Sequence, residues 1–456
     1  MKRILSLVLA AMLLMGCMSF ASAEGEKITL NVWSFTNELE GMIDKYYKPA
    51  HPDVEIVYTL YPTDGGEYTS HVDTLLAADA LNADAPDIFT LEAAFVKKYV
   101  NSDWTADLLE VGFTAEDFET CIPVMLQIGQ DNATGVQKGL AWQSTPGALM
   151  YRASLAEEYL GVTSPEEFQE LVKDWDTFVE TAEKVNEASE GKVKMVIGAG
   201  DIWNAYQYQR SQGWVVDGKL VIDDVLYDYL DMMKVMEEDG LHHSGAAWAE
   251  TWFAGMRGDE NALTLCYFLP TWGLHYTLKP NCASGIDDSM TEEEMAAQSE
   301  ATGGTYGDWR MVAGPVGYSW GGTWVGTNKA KVEAADDAKK AAIKEFIRFF
   351  TLDEDFLYTY AKDSGDFVSN NTVVEKVLAE GGTPNPFLGG QDHYSIFAEA
   401  ANLANGAIMT DYDETINSLW SDLCTTPYTK GELSLDEAIQ AFKDGVKAAY
   451  ADIVVE

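Results

Sequence analysis

From Lys27 the chain alternates. Ile28, Leu30 and Val32 fall on one side of stretch 27–33, and Thr29 and Asn31 fall on the other. A period of two predicts a strand. Leu39, Met42, Ile43, Tyr46 and Tyr47 then recur at helical spacing over 38–50, and Pro49 and Pro52 end that helix. Residues 54–61 alternate again, 71–81 are helical, and 87–91 form a short strand. The order β-α-β-α-β builds a parallel sheet with right-handed crossovers.

Further along, 139–155 carries a strand-like apolar set broken at Pro146-Gly147. Residues 164–185 are helical, with Ser164 and Glu167 as a capping box and a second helix starting at Asp176. Asp217-Gly218 predicts a hairpin, and 225–239 a helix. His242 and His243 are neighbours that cannot face one way, so surface histidines are expected, not a metal site. A buried strand over 262–276 breaks at Pro270. Residues 284–308 read as an acidic surface loop with one helix capped by Thr291 and Glu294. Segment 309–328 is strand, turn, strand; 338–361 is a helix pair; 371–382 and all of 395–456 are helical.

Composition narrows the class. A chain of 456 residues with 47% hydrophobic positions suits two domains or lobes. A formal net charge of -44 opposes nucleic acid and anionic membrane surfaces, because phosphates are repelled. None of the 5 Cys forms a C-x-x-C pair, and the 6 His show no metal-ligand spacing. No cofactor motif or P-loop occurs. Lys2, Arg3 and the apolar run 4–15 read as an export leader. Two exits follow it. Leu14-Met15-Gly16-Cys17 is similar to a lipobox, which would leave Cys17 lipidated behind a 1–16 leader. Ala21-Ser22-Ala23 is similar to a peptidase site, which would remove a 1–23 signal peptide. Either way the chain is expected outside the cytoplasm.

Ligands of open parallel sheets sit beyond the carboxyl ends of the strands. The first and third strands end at Asn37-Glu38 and at Glu92, so those residues are expected to face one crevice. The other reading of both acids is a first-turn carboxylate favoured by the helix dipole.

Ordered stretches of the chain then resemble a family. ITLNVWSFTNE (28–38), YYKPAHPDVEIVY (46–58), APDIFTLEA (85–93) and PGALMYRASLAEEYLGV (146–162) are similar, in order, to the carbohydrate-binding extracellular solute-binding proteins of ABC importers. That group includes maltose-binding protein. WDTFVETAEKV (175–185), GPVGYSWGGTWVGTNKA (314–330), AIKEFIRFFTLDEDF (342–356) and SLDEAIQAFKDGVKAAY (434–450) continue the series.

The resemblance implies a periplasmic-binding-protein-like fold of type II, with two α/β lobes, three chain crossings and a cleft that closes on a ligand. Lobe one is then 27–144 plus 325–371, and lobe two is 145–324 plus 372–456. It also implies a monomer that binds a sugar or oligosaccharide, without catalysis or a cofactor, and delivers it to a membrane permease.

A pyranose has a C–H face on which aromatic rings stack, and a hydroxyl rim that carboxylates and amides bind. Trp203, Tyr206, Trp272, Trp320 and Trp324 are available for stacking; Asn37, Glu38, Glu92, Thr145 and Asp366 are available for the rim. In GYSWGGTW (317–324), Gly321 and Gly322 let the backbone turn and leave room for a ligand, so Trp320 is expected in the cleft and Trp324 in packing. Relatives with a charged residue at the Thr145 position would grip a hydroxyl more strongly there. Two rivals stand beside this reading. One is the same fold holding a polyamine or another small solute. The other is a secreted glycoside hydrolase, since paired carboxylates also cleave sugars.

Overall fold

In the computed structural model, which describes residues 27–287 and 289–456, the first alternating stretch becomes β1 (Ile28–Ser34). It runs parallel to β2 (Val54–Leu60), from Ile28 opposite Val54 to Ser34 opposite Leu60. On its other edge it runs parallel to β3 (Ile88–Glu92). The expected β-α-β-α-β opening is therefore present. The leader and Cys17 lie outside the described residues.

The first sheet is completed by a segment far away in sequence. After β4 (Leu140–Ala141), β5 (Gly147–Arg152), the hairpin β6 (Val215–Val216) and β7 (Lys219–Leu220), β8 (Cys266–Pro270) and β9 (Trp309–Val312), the chain returns as β10 (Thr323–Thr327). The sheet order is β2-β1-β3-β10-β4. Strand β10 is antiparallel to β3, with Thr323 opposite Glu92. That register sets the Gly-Gly turn beside the Glu92 carboxylate.

The second sheet is antiparallel, in the order β8-β5-β9. Its central strand is buried on both faces. Ala148 and Met150 point into one core and Leu149 and Tyr151 into the other, as a period of two requires. Gly147 pairs with Pro270, so Trp272 begins two residues past the strand end, next to the connecting segment. A Cβ on Gly147 would lie 1.8 Å from the Tyr318 ring, so only glycine allows that approach.

Three connecting segments run side by side between the sheets. Trp320 N–H donates to the Thr145 carbonyl at 3.0 Å, and Gly147 N–H to the Tyr318 carbonyl at 2.8 Å. On the other flank, Ser144 N–H donates to the Phe367 carbonyl at 2.8 Å, and Ser369 N–H to the Trp142 carbonyl at 3.0 Å. The result is a narrow hydrogen-bonded ribbon joining two α/β lobes.

Helices cover both sheets. The last one, Leu435–Ala449, has the full Ser434/Glu437 capping box and buries Ala438, Ile439, Phe442 and Val446. Phe442 packs 5.0 Å from Trp420 and 5.4 Å from Trp214. Two expectations need correction. His242 is buried, not on the surface, because a parallel bridge to Val196 draws it against the second sheet, where its Nε2 lies 3.1 Å from Glu237. The helical run expected over 395–456 is interrupted after Leu403, where Asn405 and Gly406 disfavour a helix and the Asn405 side chain accepts from Ala407 N–H. Among the described residues, Cys121, Cys266, Cys282 and Cys424 are buried free thiols, and no helix is long and apolar enough to cross a membrane.

Candidate functional site

A cleft opens where β3 ends and the ribbon passes. It encloses about 230 Å³ and is bounded by Glu92 and Ala93 on the first-sheet side. Trp320 and Gly321 form its base. Asn204, Tyr208 and Arg210 face Glu92 from one helical segment, and Met409, Thr410 and Asp413 from another. The helix break after Leu403 thus presents Met409 and Thr410 to the cleft.

The strand-end acids are held differently. Glu92 accepts from Ala94 N–H at 2.7 Å, while burial raises its pKa. Glu38 accepts from Trp142 Nε1–H at 3.3 Å and from the Tyr360 hydroxyl. Tyr360 also lies 3.2 Å from Asp366 Oδ2, so its one hydroxyl joins the two carboxyl groups. Asp366 is 1% exposed, and its Oδ1 has no partner. Burial, with the Glu38 charge adding to it, pushes Asp366 up to about 7. Burial also raises Glu38, against the hydrogen bonds from Tyr360 and Trp142. Two carboxyls so close favour one shared proton over two charges.

Aromatic rings continue the surface. Trp272 Nε1–H donates to the Trp320 carbonyl at 2.8 Å, and the rings meet edge to face at 5.1 Å. Trp248 lies nearly parallel to Trp272, with centroids 5.9 Å apart and planes 5° apart. Trp248 is 56% exposed and holds φ at +68°, a conformation that costs a non-glycine residue roughly 1–3 kcal/mol. One turn beyond Trp272, exposed Tyr276 sits in the field of Asp366 and Glu38. Gly321 adopts φ +79°, and a Cβ there would meet Trp272 Nε1 at 2.6 Å.

Of the residues singled out from sequence, Glu92, Trp320 and Gly321 line one cleft, and Trp272 touches Trp320. Glu38 and Asp366 meet through Tyr360. Asn37 is exposed at the start of helix Glu38–Met42, and its side chain makes no capping bond. Thr145 is fully buried in the ribbon, where its hydroxyl donates to the Gly321 carbonyl at 2.9 Å. Trp203 stands apart from this group, 5.1 Å from Tyr229 and 6.4 Å from Trp420 in the second core. Tyr206 lines a different pocket. Trp324 is fully buried, with Nε1–H donating to the Met125 carbonyl at 2.8 Å.

Sequence reading passed over Tyr360, Trp142, Trp248, Arg210 and Asp413. Arg210 is 3% exposed, lies 4.9 Å over the Trp214 ring, and faces Asp413. Its presence among only six arginines was the available signal. Nothing in local pattern marks Tyr360, which lies on the buried face of its helix. Among the described residues, no group of three or more His, Cys, Asp or Glu is placed to hold a metal ion.

A family model described as bacterial extracellular solute-binding protein matches residues 33–262. No curated protein matches the chain as a sequence. Among solved structures, one titled extracellular solute-binding protein family 1 is 19% identical, with TM-score 0.75, covering 93% of this chain and 100% of its own. The galacto-N-biose-/lacto-N-biose I-binding protein of Bifidobacterium longum, in complex with lacto-N-biose, is 16% identical, with TM-score 0.66 and coverage of 94% and 97%. The sugar-binding protein MalE from Xanthomonas citri is 14% identical, with TM-score 0.67 and coverage of 92% and 96%. At these identities the likeness is one of fold.

Proposed function

For a chain that belongs to the bacterial extracellular solute-binding proteins, we propose that the cleft captures a sugar or oligosaccharide for an ABC permease. The lobes divide at the ribbon, as 27–144 plus 325–371 and 145–324 plus 372–456. The protein acts outside the cytoplasm as a monomer, released behind residues 1–23 or tethered through Cys17. Its work is binding and delivery, with no bond made or broken.

One observation carries this reading. The aromatic surface of Trp320 and Trp272 lies beside a cleft whose polar groups are of both kinds, acceptors at Glu92 and Asp413 and donors at Arg210 and Asn204. A sugar ring needs both, an apolar face and a rim of hydroxyls that donate and accept. The cleft volume is below the roughly 300–1,000 Å³ of drug-sized sites, which suits one sugar unit in the pocket. Further units would lie along Trp272 and Trp248. Glu38, Glu92, Trp272 and Trp320 are the residues assigned to contact, with Asn37 at the rim; Asp366, 1% exposed, is buried against Tyr360. Thr145 and Gly321 shape the ribbon behind them.

A ligand touching both lobes favours the closed arrangement, because only there does it meet both walls. The Xanthomonas citri MalE protein is sugar-binding, and the Bifidobacterium longum protein holds lacto-N-biose. A second reading rests on the carboxyls. Glu38, Glu92, Asp366 and Asp413 are all raised by burial, and an ammonium ligand would relieve them too. A thermal-shift screen of neutral oligosaccharides against polyamines separates the two. The expected result is a saturable shift with an oligosaccharide that disappears in Trp320→Ala. A cleft-dependent shift with polyamines alone would replace the sugar reading.

A further inference from the structure

One buried cation in the cleft has a donor to spare. Arg210 lines the cleft and is 3% exposed, yet its Nη1 has no hydrogen-bond partner. Its Nε–H donates to the Gln207 carbonyl at 3.0 Å, and the guanidinium lies over Trp214. Arg152, Arg257 and Arg348 each pair with a carboxylate. Among the described residues, no carboxylate pairs with Arg210. Lys97, the other buried cation near Asp413, is fully used, because its Nζ donates to the Gln127 and Gln130 carbonyls and to Asn132 Oδ1. A buried guanidinium with an unmet donor is costly until a partner arrives.

The charges around Arg210 narrow what that partner can be. Asp413 faces it without forming an ion pair, and is held instead by the Thr410 N–H at 3.1 Å and the Thr410 hydroxyl at 2.8 Å. Glu92 and Glu414 line the same cleft. A ligand carboxylate would be repelled by these acids, and a ligand ammonium by Arg210. A neutral group that accepts from the guanidinium and donates to a carboxylate satisfies both. Ile408 and Met409, directly before Thr410, add apolar side chains to the cleft, besides the stacking face of Trp320.

We propose that the sugar unit held in the cleft is an N-acetylhexosamine, recognised through its acetamido group by Arg210 and Asp413; this rests on the cleft being a sugar site. The amide carbonyl oxygen accepts from the Arg210 guanidinium. The amide N–H donates to the Asp413 carboxylate, and the methyl lies against Ile408 and Met409. The carbonyl and N–H of a planar trans amide point in opposite directions, which suits a donor and an acceptor that face each other unpaired. A hydroxyl offers a single oxygen and no methyl, and would leave the apolar side chains uncovered.

The test is calorimetric titration of the full chain with sugars matched except for the acetamido group. The pairs are N-acetylglucosamine and glucose, N-acetylgalactosamine and galactose, N-acetyllactosamine and lactose, and diacetylchitobiose and cellobiose. In at least one pair the acetylated member should bind about tenfold tighter, as one hydrogen bond to a charged group allows. Saturation-transfer NMR should find the acetyl methyl among the most strongly saturated protons of the bound sugar. Arg210→Gln should erase the difference within the pair, whereas Trp320→Ala should weaken both members alike. Circular dichroism confirms that each variant is folded; if Arg210→Gln is not, the matched pairs and the methyl signal in the unaltered protein decide. Equal affinity within every pair, or a difference that survives in folded Arg210→Gln, overturns the inference and leaves the sugar site standing. Tighter binding of glucuronate or glucosamine than of N-acetylglucosamine overturns it in favour of a charged sugar. Binding of no acetylated sugar also overturns it, and binding of no sugar in a wider oligosaccharide screen removes the sugar site as well.

Discussion

Asp366 shows how one residue's setting becomes a measurable property. It is an aspartate with no cation among its hydrogen-bond partners, buried beside Glu38. Its folded pKa, about 7, lies above the ordinary value of 3.8. The folded state therefore binds the proton more tightly than the unfolded state. Stability from this group is full at low pH and is lost as pH rises toward 7. Asp366→Asn should flatten that decline, by at most about 4 kcal/mol between pH 4 and 7 at roughly 1.4 kcal/mol per unit. Urea denaturation across that range reads it. Asp201, also raised to about 7 by burial, leaves a residual slope of the same sign in the variant. A second test concerns Trp320, which touches both cores and is only half-buried. Trp320→Ala should leave a folded protein whose sugar affinity falls ten- to a hundredfold, about 1.4–2.8 kcal/mol. Unchanged affinity would remove Trp320 from the contact surface.

At the scale of elements, the ribbon links packing to binding. Its turn at Gly321 takes a positive φ and leaves space that Trp272 fills. Gly321→Ala adds a strained backbone, costing roughly 1–2 kcal/mol, and forces Trp272 away. A lower melting temperature together with weaker ligand binding is expected, whereas an equally small change anywhere on the outer helices should touch stability alone. Trp248 belongs to the same surface through its stack on Trp272. Because it is mostly exposed, Trp248→Ala should leave stability within about 0.5 kcal/mol. It should weaken the binding of longer oligosaccharides more than that of a single sugar. Equal loss for all lengths would place Trp248 outside the ligand path.

At the scale of the whole molecule, a ligand that meets Glu92 on one side of the cleft and Arg210 and Asp413 on the other should hold the two lobes together. Ligand at a hundredfold excess over Kd should stabilise the protein by about 2.7 kcal/mol and raise its melting temperature. Closure should also reduce the radius of gyration in solution scattering. A shift in melting temperature with an unchanged radius would mean binding without closure.

Local pattern was enough for most elements, because period and caps act over a few residues. Alternation at 28–33, the Ser434/Glu437 box and the Asp217-Gly218 hairpin all reappear in the fold. The export-type leader, the acidity and the ordered resemblance likewise needed no coordinates. What local pattern could not decide was which side of an element would face the cleft. Trp203 and Tyr206 sit on a helix whose opposite side carries Asn204 and Tyr208, and only packing against Tyr229 chose between them. The return of β10 beside β3, the bridge of Tyr360 between Glu38 and Asp366, and the burial of His242 join residues between 46 and more than 300 positions apart. Such contacts depend on where the whole chain passes, so they belong to the tertiary structure alone.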